Sequence, residues 1–324
     1  MNRSLLRPSL LVVMVGVLSV LTGISARGDV RALWVKKEQL TSPERIHKFV
    51  AWAKEGGYNT LFVQVRARGS TFYPSQIESL SDEAHGLFDP LALVLQEAHQ
   101  GGLTVHAWVN VYYVWSQNQL PADMRHSANR HPEWILATGD GFFLDPANPA
   151  VSDYLIALID EITQNYPVDG IHMDYVRFPL ASEVPAAHRN AVTRFVKKCH
   201  DHLKATAPSV ALSAAVIMPL ERARSLGQPW DEWIRDGALD FVVPMAYTGR
   251  PDRFALYLKT LSQLPPTVPC VVGIGAYLNT EREWRNQIAQ VMHARHPASP
   301  LSGFSLFSYD SLMNADEIRG RVGE

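Results

Sequence analysis

Apolar residues fall into short runs separated by polar, helix-like stretches: RALWV (31–35), TLFVQVR (60–66), TVHAWVN (104–110), GIHMDY (170–175), ALSAAVI (211–217), FVVPMAY (241–247), VVGIGAY (271–277) and GFSLFSY (303–309). These eight runs are nearly continuous rather than cleanly alternating, which predicts strands of a parallel sheet covered on its outer face. The segments between them carry helical spacing and start signals. Ser42 and Pro43 sit where an N-cap and first helical residue belong, Ile46, Phe49, Val50 and Ala53 follow on one face, and Gly56 ends the run. Asp89, Pro90 and Gly101 repeat this grammar, Asn148 and Pro149 open a stripe from Val151 to Ile162, and Thr280 with Glu283 fits a capping box.

Strand followed by helix eight times over predicts an α/β fold, a (β/α)8 TIM barrel, in a single domain. The competing doubly wound sheet lacks support, because no G-x-G-x-x-G follows the first strand. Residues 1–26 differ from the rest. Arg3 and Arg7 precede an apolar run from Leu10 to Leu21, then the small residues Gly23, Ser25 and Ala26, the layout of a signal peptide. The run is shorter than the roughly 20 residues a span needs, so we expect a secreted or periplasmic barrel over 27–324, with no stable membrane span and no lipid-anchor cysteine. The two cysteines, Cys199 and Cys270, sit in apolar contexts and are expected to be buried free thiols. A net charge of -2 offers no basic surplus for nucleic acid.

In such a barrel the active site forms from strand C-terminal ends and the loops that follow. The loops over 67–88 and 111–147 are long and rich in aromatics, among them Phe72, Tyr73, Tyr113, Trp115, Trp134, Phe142 and Phe143. Aromatic faces beside polar groups suit a polysaccharide. In the fourth strand His172 and Asp174 share one face, placing Asp174 at the last inward position as a glycosidase nucleophile or base, with His172 and Arg177 beside it. Asp169, at the other end of the strand, reads as structural. Arg66 and Arg68 close the second strand on alternate positions, and Trp108, Asn110, Tyr112, Tyr247 and Tyr277 supply further substrate contacts. Glycosidic cleavage needs a second carboxylate: Glu221 comes first, with Asp310 and Asp145 in reserve and Glu38 a longer shot. No H-E-x-x-H, cysteine pair or G-x-S-x-G elbow occurs, so neither a metal, nor another cofactor, nor a serine nucleophile is expected.

Taken in order, RALWV, GGYNTLFVQVRARGSTFYPS, DPLALVLQEAHQGGLTVHAWVNVYY, RHPEWIL, LDPANPAVSDYLIALIDEI and YPVDGIHMDYVRFP resemble the bacterial glycosyl hydrolase-like family 10. The resemblance implies a secreted or envelope-associated barrel that hydrolyses glycosidic bonds, with members tied to bacterial cell-wall glycans. Asp174 is also similar to the strand-four aspartate of the α-amylase family's D-G-x-R-x-D, with His172 at the arginine position. In the similar chitinase motif the catalytic glutamate falls on Val176, so that mechanism does not carry over. Where many relatives have a second aspartate, this chain has Tyr175. Two functions fit: a glycoside hydrolase, or a glycan-binding protein on the same barrel without turnover. A second carboxylate near Asp174 separates them.

Overall fold

The computed structural model describes residues 29–84, 88–117, 119–180, 184–267 and 269–313. The expected leader over 1–26 lies outside the described residues. Eight parallel strands close on themselves: β1 (Val30–Val35), β2 (Thr60–Ala67), β3 (Thr104–Asn110), β4 (Gly170–Asp174), β5 (Ala211–Ile217), β6 (Phe241–Met245), β7 (Cys270–Gly275) and β8 (Leu301–Phe307). Each pairs with the next, and β8 pairs back onto β1, so the sheet has no open edge. The chain is therefore a (β/α)8 barrel.

Helix starts lie where the capping residues require. Ser42, Asp89 and Asn148 each accept a hydrogen bond from a first-turn backbone N–H, and Thr280 with Glu283 completes its capping box. Between β5 and β6 the helix is broken into two short pieces, Leu220–Ser225 and Trp230–Arg235. The long loop after β3 folds into a three-stranded antiparallel sheet, Tyr113–Trp115, Ile135–Thr138 and Gly141–Leu144. Both cysteines are buried and unpaired. Among the described residues no helix is long and apolar enough to cross a membrane.

Two apolar layers share the strands. Outward side chains such as Leu61, Val63 and Ile171 pack against the helices, while Trp34, Phe62, Trp108 and Val243 fill the interior. Two histidines join this inner fill. The His172 ring stacks on Phe62 with centroids 4.0 Å apart, and His106 lies edge-on to Phe62 and Phe241. Burial pushes the His106 imidazole down to about 4 and His172 well below its ordinary value, so both are neutral fillers rather than charges. At the N-terminal end of β4, Asp169 accepts hydrogen bonds from the Val105 N–H at 2.7 Å and from His99 at 2.9 Å, a structural position remote from the strand C-termini.

The fit is tight at Gly170, where an added Cβ would meet His106 Nδ1 at 2.1 Å and the Ala211 carbonyl at 2.9 Å. Gly170→Ala is expected to destabilise the fold by about 1–3 kcal/mol through overpacking, read as a lower urea midpoint. The double variant with His106→Ala should lose less than the sum of the two single losses. Strict additivity would mean that the two residues do not compete for space.

Candidate functional site

The strand C-termini surround a cleft of about 530 Å³, within the range of roughly 300–1,000 Å³ usual for small-molecule sites. Its floor is the top of the interior fill. Trp34 lies there among Phe62, Tyr247 and Phe307, at ring-centroid distances of 5.4, 6.2 and 5.8 Å. The indole N–H of Trp34 donates to His172 Nε2 at 3.1 Å, so a neutral His172 carries its proton on Nδ1 and gives it to Ser213 Oγ at 2.9 Å. Ser213 in turn donates to the Ile171 carbonyl. His172 thus sits beneath the floor and not in the cleft; its part is to hold the Trp34 ring.

Asp174 ends β4 on the cleft wall, partly buried. Burial pushes its carboxyl up to about 6, and the Tyr175 N–H, the Arg177 guanidinium and the Trp108 indole pull against that rise without cancelling it. The Tyr175 N–H donates to Asp174 Oδ1 at 2.7 Å. Tyr175 takes the left-handed conformation, φ 51°, and the other non-glycine residue in that region among those described is Arg68, φ 53°, also on the cleft wall. Strain of this kind collects at functional sites. The Tyr175 ring stacks on Tyr113 at 4.8 Å and lies under the Arg177 guanidinium at 5.1 Å, an arrangement that holds the strained turn in place.

Of the residues expected from sequence, Asp174, Arg68, Trp108, Asn110, Arg177, Tyr247 and Tyr277 line this cleft. Others are displaced. A bulge between Gln64 and Arg66 breaks the alternation of β2 and turns Arg66 outward, where it forms a buried pair with Glu78 and donates to the carbonyls of Asn110 and Val111. Tyr112 is likewise off the cleft, because the chain leaves the β3 ladder after Asn110. Its ring packs on Phe195 of the outer layer, and Tyr113 takes the place on the wall. Glu221 is exposed on the short helix after β5 and does not line the cleft. Asp310 stands behind the wall, accepting from Gln39 at 2.6 Å with Lys36 at 3.9 Å, and Asp145 caps its own loop through the Ala147 N–H. The aromatics of the long loops divide: Phe72, Tyr73 and Phe143 are buried packing residues, whereas Tyr113 reaches the cleft.

The carboxylate that does share the cleft with Asp174 is Glu38, on the single 3-10 turn after β1. Its Oε1 lies 3.5 Å from Lys37 Nζ, while Oε2 is buried without a hydrogen-bond partner. The Lys37 N–H is held by Gln64 Oε1 at 3.2 Å, and Gln64 Nε2 reaches Asn110 Oδ1 at 3.4 Å, tying the ends of the first three strands together. Gln64 left a trace in the sequence as one polar side chain inside the apolar run TLFVQVR; Trp34 left none. Among the described residues no group of three or more His, Cys, Asp or Glu is placed to hold a metal ion.

A carboxyl raised by burial binds its proton more tightly folded than unfolded. Its stabilising contribution is therefore full below the ordinary aspartate value of 3.8 and is lost as pH rises through about 6. Asp174→Asn is expected to raise stability at neutral pH, on the order of 1–2 kcal/mol because water still reaches the group, and to flatten the pH dependence over that window. Chemical denaturation across pH checks this; a less stable Asn variant at neutral pH would contradict it.

Sequence comparison is consistent with this geometry. The chain is 30% identical over 242 residues to glycosyl hydrolase DigH of Escherichia coli (strain K12), covering 59% of this chain and 55% of that protein. It is 25% identical over 263 residues to glycosyl hydrolase YngK of Bacillus subtilis (strain 168), covering 66% and 51%. The chain thus spans about half the length of these curated relatives. Among solved structures, alpha-L-fucosidase isoenzyme 2 from Paenibacillus thiaminolyticus superposes with a TM-score of 0.61 at 14% identity, over 89% of this chain and 47% of that one, a likeness of fold. The family described as Glycosyl hydrolase-like 10 matches residues 29–183. That segment, just under half of the chain, runs from β1 through β4 and contains both Glu38 and Asp174.

Proposed function

We propose that the protein is a glycoside hydrolase acting on a polysaccharide, with Asp174 as general acid and Glu38 as the opposing base or nucleophile. The observation that carries this reading is a cleft lined by two carboxylates in unlike settings, one raised by burial to about 6 and one beside Lys37. A pair of carboxyls facing one cleft, one of them kept protonated by burial, is what acid and base roles require. The sequence alone suggested Asp174 as nucleophile or base. Its raised pKa favours the reverse role, since a group protonated up to about pH 6 can give a proton to the leaving oxygen. The presence of Glu38 favours turnover over a binding-only protein.

In this mechanism the Asp174 carboxyl protonates the glycosidic oxygen as the bond breaks, and the Tyr175 N–H on Oδ1 steadies the carboxylate left behind. As the bond breaks, Glu38 either attacks the anomeric carbon to form a glycosyl-enzyme that water then hydrolyses while giving its proton back to Asp174, or takes a proton from a water that attacks from the other side. Glu38 stands on the turn after β1 and Asp174 at the end of β4, so the two approach the cleft from different strand ends. Trp34, Trp108, Tyr113 and Tyr247 supply ring faces for the sugar. The family resemblance makes bacterial cell-wall glycan the first substrate to test. On the signal-like leader we place the protein outside the cytoplasm, which N-terminal sequencing of the exported form would check.

Incubation with purified cell-wall glycans and with other polysaccharides, followed by measurement of new reducing ends, tests the activity. Glu38→Gln and Asp174→Asn should each lower kcat by about 10²–10⁴-fold on the glycan that is cleaved. The roles separate with an aryl glycoside whose leaving group needs no protonation. Asp174→Asn should then be largely spared and Glu38→Gln should not; equal losses would remove Asp174 from the acid role. The protonated form of Asp174 is the active one, so activity should fall as pH rises through about 6. A profile that instead falls below that pH would return Asp174 to the nucleophile role.

A further inference from the structure

The cleft is not closed at its β2–β3 side. A second chamber of about 230 Å³ adjoins it and shares three wall residues with it, Lys37, Ala67 and Arg68. The chamber's far side is formed by Trp115, from the small antiparallel sheet, and by the segment that carries Ser81. Resting on the proposed function, we propose that this chamber is a distal sugar subsite, filled by a glycan chain that runs on past the cleaved bond.

Three features support a site built for a ligand rather than a packing gap. The Arg68 guanidinium is exposed on the dividing wall and makes no hydrogen bond or ion pair among the described residues. Its backbone is fixed while its head is free. The Arg68 carbonyl accepts from buried His126 Nε2 at 2.7 Å, and His126 Nδ1 accepts from the Ala128 N–H at 3.1 Å. Gly69 follows with φ 68°, and a Cβ there would meet His126 Nε2 at 2.3 Å, so the histidine occupies the space that only glycine leaves open. The Trp115 ring, partly exposed, lies edge-on to His126 at 5.5 Å and is tethered through its N–H to the Gln119 carbonyl at 2.8 Å. A rigid partly exposed indole beside an unpaired guanidinium is suited to the apolar face and the edge oxygens of one sugar. The chain would enter past exposed Tyr277 on the β7 side, cross between Glu38 and Asp174, and leave over Arg68 to Trp115.

The consequence is a preference for long chains, testable by binding without turnover. The parent is the Asp174→Asn protein, and the probes are purified cell-wall glycan strands separated into a short and a long fraction, measured by calorimetry. Long strands should bind the parent more tightly. Trp115→Ala, and independently Ser81→Trp, which fills the chamber, should each cut the long-to-short affinity ratio about tenfold. Trp115→Phe should keep most of it. Equal affinity for both fractions, no binding of either, or a ratio unmoved by both blocking variants would overturn the subsite. Wild-type protein that cleaves strands while the ratio stays flat leaves the hydrolase standing and removes the chamber. Strands bound with the expected ratio but never cleaved keep the chamber and remove the hydrolase.

Discussion

A closed barrel has to fill its own interior, and here the top of that filling is also the floor of the cleft. The hydrogen-bonded series from Trp34 through His172 and Ser213 to the Ile171 carbonyl links those two tasks. It works only while His172 is neutral, because a protonated Nε2 could not accept from the indole. Burial ensures that neutrality. The cost of placing an imidazole in the interior is offset by stacking on Phe62 and by partners at both ring nitrogens, so the Trp34 ring is held in one orientation where a sugar would lie.

The same apolar floor sets the electrostatics above it. Asp174 lies against Trp108 and Tyr247, and Arg177 is itself largely buried, its guanidinium pushed below its ordinary value by desolvation. Arg177 therefore moderates the rise of Asp174 without abolishing it. Across the cleft, Glu38 sits beside Lys37, whose ammonium also pairs with Glu83, on a turn held by Gln64.

How much of this was legible in the sequence follows from what each residue depends on. The strands were readable because a sheet covered by helices writes long apolar runs, and the helix starts were readable because caps are local. Asp174 was readable as the last inward residue of a short, regular strand. Arg66 and Tyr112 were not, because alternation holds only until a bulge or the end of a ladder. One extra residue in β2 sends Arg66 to Glu78, and one early departure from β3 exchanges Tyr112 for Tyr113. Glu38 ranked low because proximity across a barrel is a long-range fact that sequence separation hides. Glu221 ranked high only because it stood near a strand end in the chain, and the short helix there points it to solvent.

Among the residues around Asp174, Tyr175 bears directly on its chemistry. A second aspartate at that position would add a like charge beside Asp174 and couple the two titrations. With tyrosine there, the rise of Asp174 comes from burial, and the left-handed turn aims the backbone N–H at Oδ1. The strain of that turn, on the order of 1–3 kcal/mol, is held by the ring's stack on Tyr113 and its contact with Arg177. What the site loses in charge it recovers in definition. One oxygen of Asp174 is committed to the backbone, and the residue that fixes it there also forms part of the cleft wall.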